Sequence, residues 1–117
     1  MSGDALYLQH TLDAIKEIEC YTAVGRDVFM STSHWQDATI RQLEIIGEAT
    51  KRLSDALRAD HDDVPWRRIA GLRDVLIHDD MGVDDVDAVW EVTETNLPDL
   101  RKRVQAILQA QDALDPP

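Results

Sequence analysis

Apolar residues recur every three to four positions along most of the chain, a spacing that predicts helices with one apolar face. The first helix is predicted over residues 4–22, and Gly25 is expected to end it. A short turn or helix around residues 27–30 precedes a second long helix. Residues 33–36 read Ser-His-Trp-Gln, the spacing of a capping box, so the second helix should begin there and stop before Asp60. The predicted buried residues are Ala5, Leu8, Leu12, Ile15, Ile18 and Thr22, then Ile40, Leu43, Ile46, Ala49 or Thr50, Leu53 and Leu57.

The second half of the chain continues the same periodicity. Pro65 suits the first turn of a helix that should fail between residues 78 and 82. Either Asp84 or Asp85 is predicted to cap the next helix. Pro98 interrupts the pattern that follows, so this segment is either one kinked helix or two helices. The predicted buried residues are Trp66, Ile69, Leu72, Leu76, Val86, Val89, Trp90, Thr93, Leu97, Leu100, Val104, Ile107 and Leu108.

Helices of this length with short connections predict an all-α fold. We expect a single domain over residues 1–117, an up-and-down bundle of four to five helices whose tail frays from about residue 112. Apolar residues make up 44% of the chain, yet no apolar run approaches the ~18 residues of a membrane span. No secretory signal is visible, and a single cysteine excludes an internal disulfide. The sequence therefore predicts a cytoplasmic protein without membrane association, in which Cys20 is a small buried side chain.

The charge of the chain is strongly negative but unevenly distributed. A net charge of −11 argues against a general nucleic-acid-binding surface. Residues 65–78 nevertheless carry three arginines against one aspartate, a net charge of +2, and residues 79–87 follow with five aspartates and no basic residue. The basic segment is either ordinary helix-terminal charge or a local anion site.

Arg73 and His78 are the residues of that segment best suited to chemistry. RNA can be cleaved without metal through its own 2′-OH, which requires a group that moves protons and a fixed cation for the phosphate. On an ideal helix the two side chains are about 140° apart. They converge only if the helix unwinds at His78, if the long arginine reaches round, or if a second subunit completes the site. The alternative is structural, with His78 as a helix C-terminal cation and Arg73 paired with Asp74 or Asp79.

Several blocks of sequence, in order, resemble the HepT family of HEPN-domain proteins. The blocks are residues 41–49, residues 65–78, and residues 81–84 with Val89-Trp90, and the resemblance runs from about residue 6 to residue 108. It implies an α-helical bundle, a homodimer and metal-independent endoribonuclease activity that needs no cofactor. It also implies the role of a toxin in a type II or type VII toxin–antitoxin system, with a minimal nucleotidyltransferase as its antitoxin.

The resemblance assigns roles to single residues. In the family's R-x4-H-x-Y motif, the Arg, the polar residue after it and the His fall on Arg73, Asp74 and His78. Arg73 is then expected to bind the scissile phosphate, His78 to move protons, and Asp74 to orient one of them. Arg67 and Arg68 are candidate RNA-binding residues.

The motif's tyrosine falls on Asp80, which has no hydroxyl. In the family the antitoxin silences the toxin by attaching AMP to that tyrosine, so this mode of control is in question here. Natural divergence, a degenerate toxin and an engineered substitution all remain open. The carboxylate either imitates the silenced state and weakens the enzyme, or points harmlessly to solvent. A second candidate function is therefore an inactive dimer of the same fold that binds the nucleotidyltransferase.

The runs His61-Asp62-Asp63 and His78-Asp79-Asp80 suggest a different chemistry, because histidine and carboxylate bind divalent metals. With His10 and His34 they would fit a helical metal-dependent phosphohydrolase. The simpler explanation is that Asp62 or Asp63 is a helix cap in the polar loop before Pro65, and we predict no metal site.

Three tryptophans, Trp35, Trp66 and Trp90, could stack on bases. Each lies on or beside a predicted apolar face, so we expect at least two of them to pack in the core or at a dimer interface.

Overall fold

The computed structural model is all-α, as predicted. It describes residues 3–72, 74, 77–78 and 83–114, with the side chains of all of these except 77–78, 83–84 and 113–114. The elements in chain order are α1 (Gly3–Thr22), α2 (Arg26–Ser31), α3 (Ser33–Lys51), α4 (Asp55–Asp60), α5 (Trp66–Ala70), two short strands β1 (Ile77–His78) and β2 (Val83–Asp84), α6 (Val86–Glu91), a π-helical turn (Val92–Asn96) and α7 (Leu97–Leu114). The two-residue strands were not predicted. No helix within the described ranges is long and apolar enough to span a membrane.

The core forms where α1 packs against α3 and α7. Helices α1 and α3 are antiparallel: the rings of Tyr21 and Trp35 are 6.0 Å apart at one end, and Asp4 bonds Ser54 just beyond the other. Each fully buried aliphatic side chain contributes roughly 1.5–3 kcal/mol, so these faces dominate stability. The predicted faces are confirmed for Leu8, Leu12, Ile15, Ile18, Ile40, Leu43, Ile46, Leu100, Val104 and Ile107, all of which are buried.

The C-terminal end of α1 confirms one prediction and corrects another. Gly25 has a φ of 93°, in the left-handed region that favours glycine, and it separates α1 from α2. Cys20 is exposed, so the prediction of a buried thiol is wrong. Ile18 is buried, and two residues further on the helix has turned by about 200°, which places Cys20 on the solvent side.

The second long helix is shorter than its apolar periodicity predicts. It ends at Lys51, and Ser54 is the N-cap residue of a separate helix, α4. The hydroxyl of Ser54 accepts a hydrogen bond from the Leu57 amide at 3.1 Å and donates one to Asp4 Oδ2 at 2.7 Å. Asp4 Oδ1 also accepts from the Ser54 amide at 2.8 Å. The periodicity hides this break because Leu53 and Leu57 are both buried on either side of it.

The predicted capping box at the start of α3 does not form. The N-cap residue is Thr32, whose side chain makes no capping hydrogen bond. The side-chain amide of Gln36 instead donates to the carbonyl oxygens of Phe29 and Met30, at 2.9 and 3.1 Å. Gln36 therefore ties α3 to the end of α2 rather than to its own first turn.

The last third of the chain is one continuous helical rod with a π-helical turn inside it. Asp85 caps the start of α6, where its carboxylate accepts from the Ala88 amide at 3.0 Å, so the second of the two predicted caps is the correct one. Before Pro98 the hydrogen bonding changes, and the Leu97 amide donates to the Val92 carbonyl five residues back. Proline lacks a donor and crowds the carbonyl four residues earlier, which explains why the helix reorganises there.

Gly47 sets how closely α5 approaches α3. A Cβ atom at this position would lie 3.1 Å from the Ala70 carbonyl oxygen and 3.5 Å from that of Ile69. Both oxygens are backbone atoms at the end of α5, so a larger side chain would push α5 away from α3. Because α5 lies within residues 65–78, this contact also positions the first half of the basic segment against α3.

We expect Gly47→Val to lower the free energy of unfolding by about 1–3 kcal/mol, the usual cost of overpacking a close contact. Gly47→Ala should be nearly neutral, because the ~1 kcal/mol gained in helix propensity offsets the tight contact. Urea unfolding followed by circular dichroism measures both. Gly3→Val is the matched control, since nothing lies within 4 Å of a Cβ there. Equal stability of the two valine variants would contradict the close approach.

Candidate active site

One face of α5 packs into the core, so the two arginines on its opposite face are exposed to solvent. Trp66 and Ile69 are buried, and the Trp66 indole nitrogen Nε1 donates to the His61 carbonyl at 2.9 Å. Arg67 and Arg68 lie on the outer face and are exposed. Within the described part of the chain neither guanidinium forms an ion pair, so both remain available to an anion.

Helix α5 ends earlier than predicted, at Ala70, with Gly71 as its C-cap. The expectation of one helix from Pro65 to about residue 78 is therefore wrong. Helical conformation returns at Leu72 and Asp74, where the Asp74 amide donates to the Gly71 carbonyl at 3.1 Å. Gly71 thus divides the basic segment into a short anchored helix and a second piece that leads to His78.

The backbone at His78 is extended rather than helical. Ile77 pairs with Asp84 and His78 with Val83, in antiparallel register. This is one of the three conditions under which Arg73 and His78 were expected to converge, namely unwinding of the helix at His78. Arg73 and Asp80 lie outside the described residues, as does the side chain of His78, so the distance between the predicted catalytic groups stays a prediction.

The acidic residues after His78 are partly engaged elsewhere. Asp85 caps α6, and Asp87 pairs with Arg26 at 3.3 Å. Asp74, predicted to orient a proton, has an exposed side chain. The described residues of the acid-rich stretch therefore cap α6 and join it to α2.

The residues named for metal binding are dispersed in the described part of the chain. His10 packs edge-on against Tyr7, at 5.8 Å between ring centroids, and His34 packs against Trp35 at 5.0 Å. The His61 carbonyl accepts from Trp66, and Asp63 forms an ion pair with Arg103. Among the described residues, no group of three or more His, Cys, Asp or Glu side chains is placed to hold a metal ion.

The tryptophans serve packing. Trp66 is buried, and the ring of Trp90 lies 5.1 Å from that of buried Phe29. Trp35 is half-buried between Tyr21 and His34. The expectation that at least two of them pack inside the protein is confirmed.

A groove of about 500 Å³ between α5 and the π-helical turn escaped the sequence analysis. Arg68 and Leu72 line one side of it, and Asn96 and Arg103 line the other. Hydrogen bonds to Asp63 and Asp99 raise the pKa of Arg103 above its ordinary value. Pro98 was the one feature of the sequence that pointed to this region. It predicted a disturbed helix, and the π-helical turn just before it lines the groove.

The family model for HepT-like ribonucleases, described as "Ribonuclease HepT-like", matches residues 11–107. The chain belongs to this family. The match includes every helix from α2 to α6 and both predicted catalytic positions, Arg73 and His78. The resemblance seen in the sequence is thereby confirmed.

Three relatives have names that refer to ribonucleases. A "Putative RNase" of Caldanaerobacter subterraneus subsp. tengcongensis is 40% identical over 104 residues, which cover 88% of this chain and 92% of that protein. A "Probable ribonuclease HepT" of Thermococcus cleftensis is 36% identical over 102 residues, covering 86% and 92%. A "Gamma-glutamylcyclotransferase and putative RNase" of Methanocaldococcus jannaschii is 39% identical over 108 residues, covering 92% of this chain and 48% of that protein. The HepT-like chain thus spans about half of that two-part relative. No solved structure matches it significantly.

Proposed function

We propose that this HepT-like protein is a metal-independent endoribonuclease whose chemistry is carried by Arg73, His78 and Asp74. The observation that carries the proposal is the family match, which spans the whole basic segment, together with relatives that are named as ribonucleases. The extended backbone at His78 supports it, because it removes the helical geometry that would hold the two key side chains apart.

In the proposed reaction the 2′-oxygen of a ribose attacks the adjacent phosphorus, and the bond from phosphorus to the 5′-oxygen breaks. His78 takes the proton of the 2′-OH and gives a proton to the 5′-oxygen as that oxygen leaves, so that the imidazole ends the reaction in its starting state. Arg73 binds the phosphate oxygens and stabilises the charge that develops on them. Asp74 orients one of the protons that His78 moves. The products are a 2′,3′-cyclic phosphate and a 5′-hydroxyl.

We further propose that the enzyme acts as a two-fold dimer. A net charge of +2 over residues 65–78 is small for holding a polyanion on a chain of net charge −11. Two copies facing a shared cleft would double the local positive charge. Sedimentation at micromolar concentration should give twice the 13.2 kDa chain mass. A monomer at that concentration would count against the shared cleft.

The proposed biological role is that of a toxin with a minimal nucleotidyltransferase as its antitoxin, as the family resemblance implies. Induced expression of the chain alone should then slow bacterial growth, because RNA is cleaved. Expression of the His78→Ala variant to the same level should leave growth unaffected. Equal growth arrest by both forms would show that any toxicity does not depend on the proposed chemistry.

Asp80 in place of the motif tyrosine favours a second candidate, a weakened or inactive dimer that still binds the nucleotidyltransferase. A permanent carboxylate two residues from His78 would repel the RNA backbone and compete with phosphate for Arg73. It would thereby imitate the charge that AMP attachment brings to the silenced form.

The substitution Asp80→Tyr separates these candidates. We expect the tyrosine variant to cleave RNA faster, to be more toxic, and to accept AMP from the nucleotidyltransferase, since it regains a hydroxyl. Initial cleavage rates and transfer of radiolabelled AMP measure this. Asp87→Asn is the matched control, because it also removes one carboxylate from the acid-rich stretch, at a residue paired with Arg26. Identical rates for the tyrosine variant and the parent chain would show that Asp80 is harmless.

A further inference from the structure

The groove between α5 and the π-helical turn has the build of a ligand site. Its volume of about 500 Å³ lies in the ordinary range for small-molecule sites, which are mostly apolar with a few polar groups. Four of its lining residues, Val64, Ile69, Leu97 and Leu100, are buried and form an apolar floor. The floor belongs to the core, so the groove is held in a rigid part of the fold.

The π-helical turn shapes one wall of this groove. Hydrogen bonding across five residues, from Leu97 back to Val92, widens the helix locally compared with an α-helix. Thr95 and Asn96 line the groove from this widened turn, and both are exposed. Asn96 Oδ1 lies 2.9 Å from Thr95 Oγ1, and within the described residues the amide nitrogen of Asn96 has no partner. An amide with an unused donor therefore stands at the rim of an apolar floor.

The charges around the rim are asymmetric. Arg103 is shared by two carboxylates, Asp63 and Asp99, and Asp99 Oδ2 lies 3.0 Å from Arg103 Nε, so its positive charge is fully engaged on this side of the groove. Arg68, on the opposite rim, is exposed and forms no ion pair within the described part of the chain. Arg68 is thus the cation at this rim that pairs with no described carboxylate, on a molecule of net charge −11.

We propose that this groove binds one unstacked nucleobase of a single-stranded RNA, with Asn96 contacting the base edge and Arg68 contacting a neighbouring phosphate. This inference rests on the proposed ribonuclease function and identifies a specificity site for it. Bases of single-stranded RNA are recognised by placing their faces on apolar or planar groups and by hydrogen bonds to their edges. The side chain of Asn combines a donor and an acceptor, which suits base recognition, and arginine suits phosphate.

The position of the groove relative to the predicted catalytic segment supports an RNA occupant. Leu72 lines the groove and immediately precedes Arg73 in the chain. A nucleotide seated between Arg68 and Asn96 would therefore lie at the start of the segment that carries the chemistry. In this arrangement, the base bound in the groove would determine which phosphate of the RNA is cleaved.

Binding to 2′-O-methyl RNA tests the proposal without cleavage, because the nucleophilic hydroxyl is blocked. The probes are fluorescent single-stranded oligomers in which each position in turn carries each of the four bases or an abasic residue. For the parent chain we expect one position at which the abasic probe binds about tenfold more weakly. Asn96→Leu, similar in shape but without the amide, should lose the preference among bases at that position, about tenfold, while its affinity for the abasic probe stays unchanged.

The variant Arg68→Ala should weaken all probes several-fold and lower the salt dependence of binding by about one phosphate contact. Arg26→Ala is the matched control, because it removes one exposed arginine that does not line the groove. It should reproduce neither effect. Circular dichroism and the melting temperature confirm that each variant is folded.

The results separate this inference from the proposed function. If the parent chain binds and cleaves RNA but Asn96→Leu keeps the base preference, the nucleobase site is wrong and the ribonuclease stands. If Asn96→Leu instead shifts the sedimentation of the protein without changing RNA binding, the groove is a protein interface and the inference is likewise wrong. If the parent chain neither binds nor cleaves any probe or its unmodified counterpart, the proposed function fails and the base site falls with it.

Discussion

The His78→Ala variant is expected to lose RNA cleavage by a factor of about 10²–10⁴, the usual contribution of a positioned proton-transfer group. Alanine cannot accept the proton of the 2′-OH, and no other histidine lies in the basic segment. The backbone at His78 belongs to a two-residue strand, outside the helices that form the core. Helicity and melting temperature should therefore change little. Initial rates on a single-stranded RNA, measured beside the circular dichroism spectrum, give both values.

A matched control for this variant is His61→Ala. His61 also precedes an aspartate, but it is the C-cap residue of α4, outside the basic segment, and its backbone carbonyl accepts a hydrogen bond from Trp66. We expect this variant to cleave at the parental rate. A folded His78→Ala variant that still cleaves, or a loss of activity in both variants alike, would contradict the assignment.

The second large effect is expected for Arg73→Lys, which keeps the positive charge but should lower the cleavage rate by about 10²–10³. Arginine binds phosphate oxygens with a planar fork of donors, whereas lysine presents a single ammonium group. The rate should therefore fall even though the electrostatic attraction to RNA is retained. A comparison of cleavage rate with affinity for 2′-O-methyl RNA separates the two contributions, because only the rate should drop strongly.

The control for Arg73→Lys is Arg26→Lys, which makes the same exchange at an ion pair with Asp87. Its cleavage rate should match that of the parent chain. Full activity of Arg73→Lys would show that this position contributes only charge, and the phosphate-binding role would then pass to another residue of the basic segment.

Much of the fold could be predicted because apolar periodicity reports burial directly. Leu8, Ile46 and Val104 stand at the centres of their predicted faces and are 0% exposed in the structure. Helix ends were less predictable, since they depend on contacts distant in sequence. The start of α4 rests on Asp4, fifty residues away from Ser54, and the start of α3 lacks its expected cap because Gln36 bonds to α2 instead.

The sequence was sufficient to predict which residues form the candidate site, but not the backbone conformation that positions them. The family blocks placed Arg73, Asp74 and His78 in one segment, yet Ile69, Leu72 and Leu76 continue a helical pattern through it. That pattern could not reveal the end of α5 at Ala70 or the extended pairing of His78 with Val83. The end of α5 lies against Gly47 of α3, a tertiary contact that periodicity along the sequence does not report.

The central claim is that cleavage uses the protein's own side chains and the RNA 2′-OH. The most direct test incubates a labelled single-stranded RNA with the purified chain in excess chelator and then analyses the new 3′ ends. We predict that cleavage persists and that the ends are 2′,3′-cyclic phosphates, which resist phosphatase until the ring is opened. Cleavage that stops in chelator and returns on adding a divalent metal ion would contradict the account and favour the His-Asp metal chemistry.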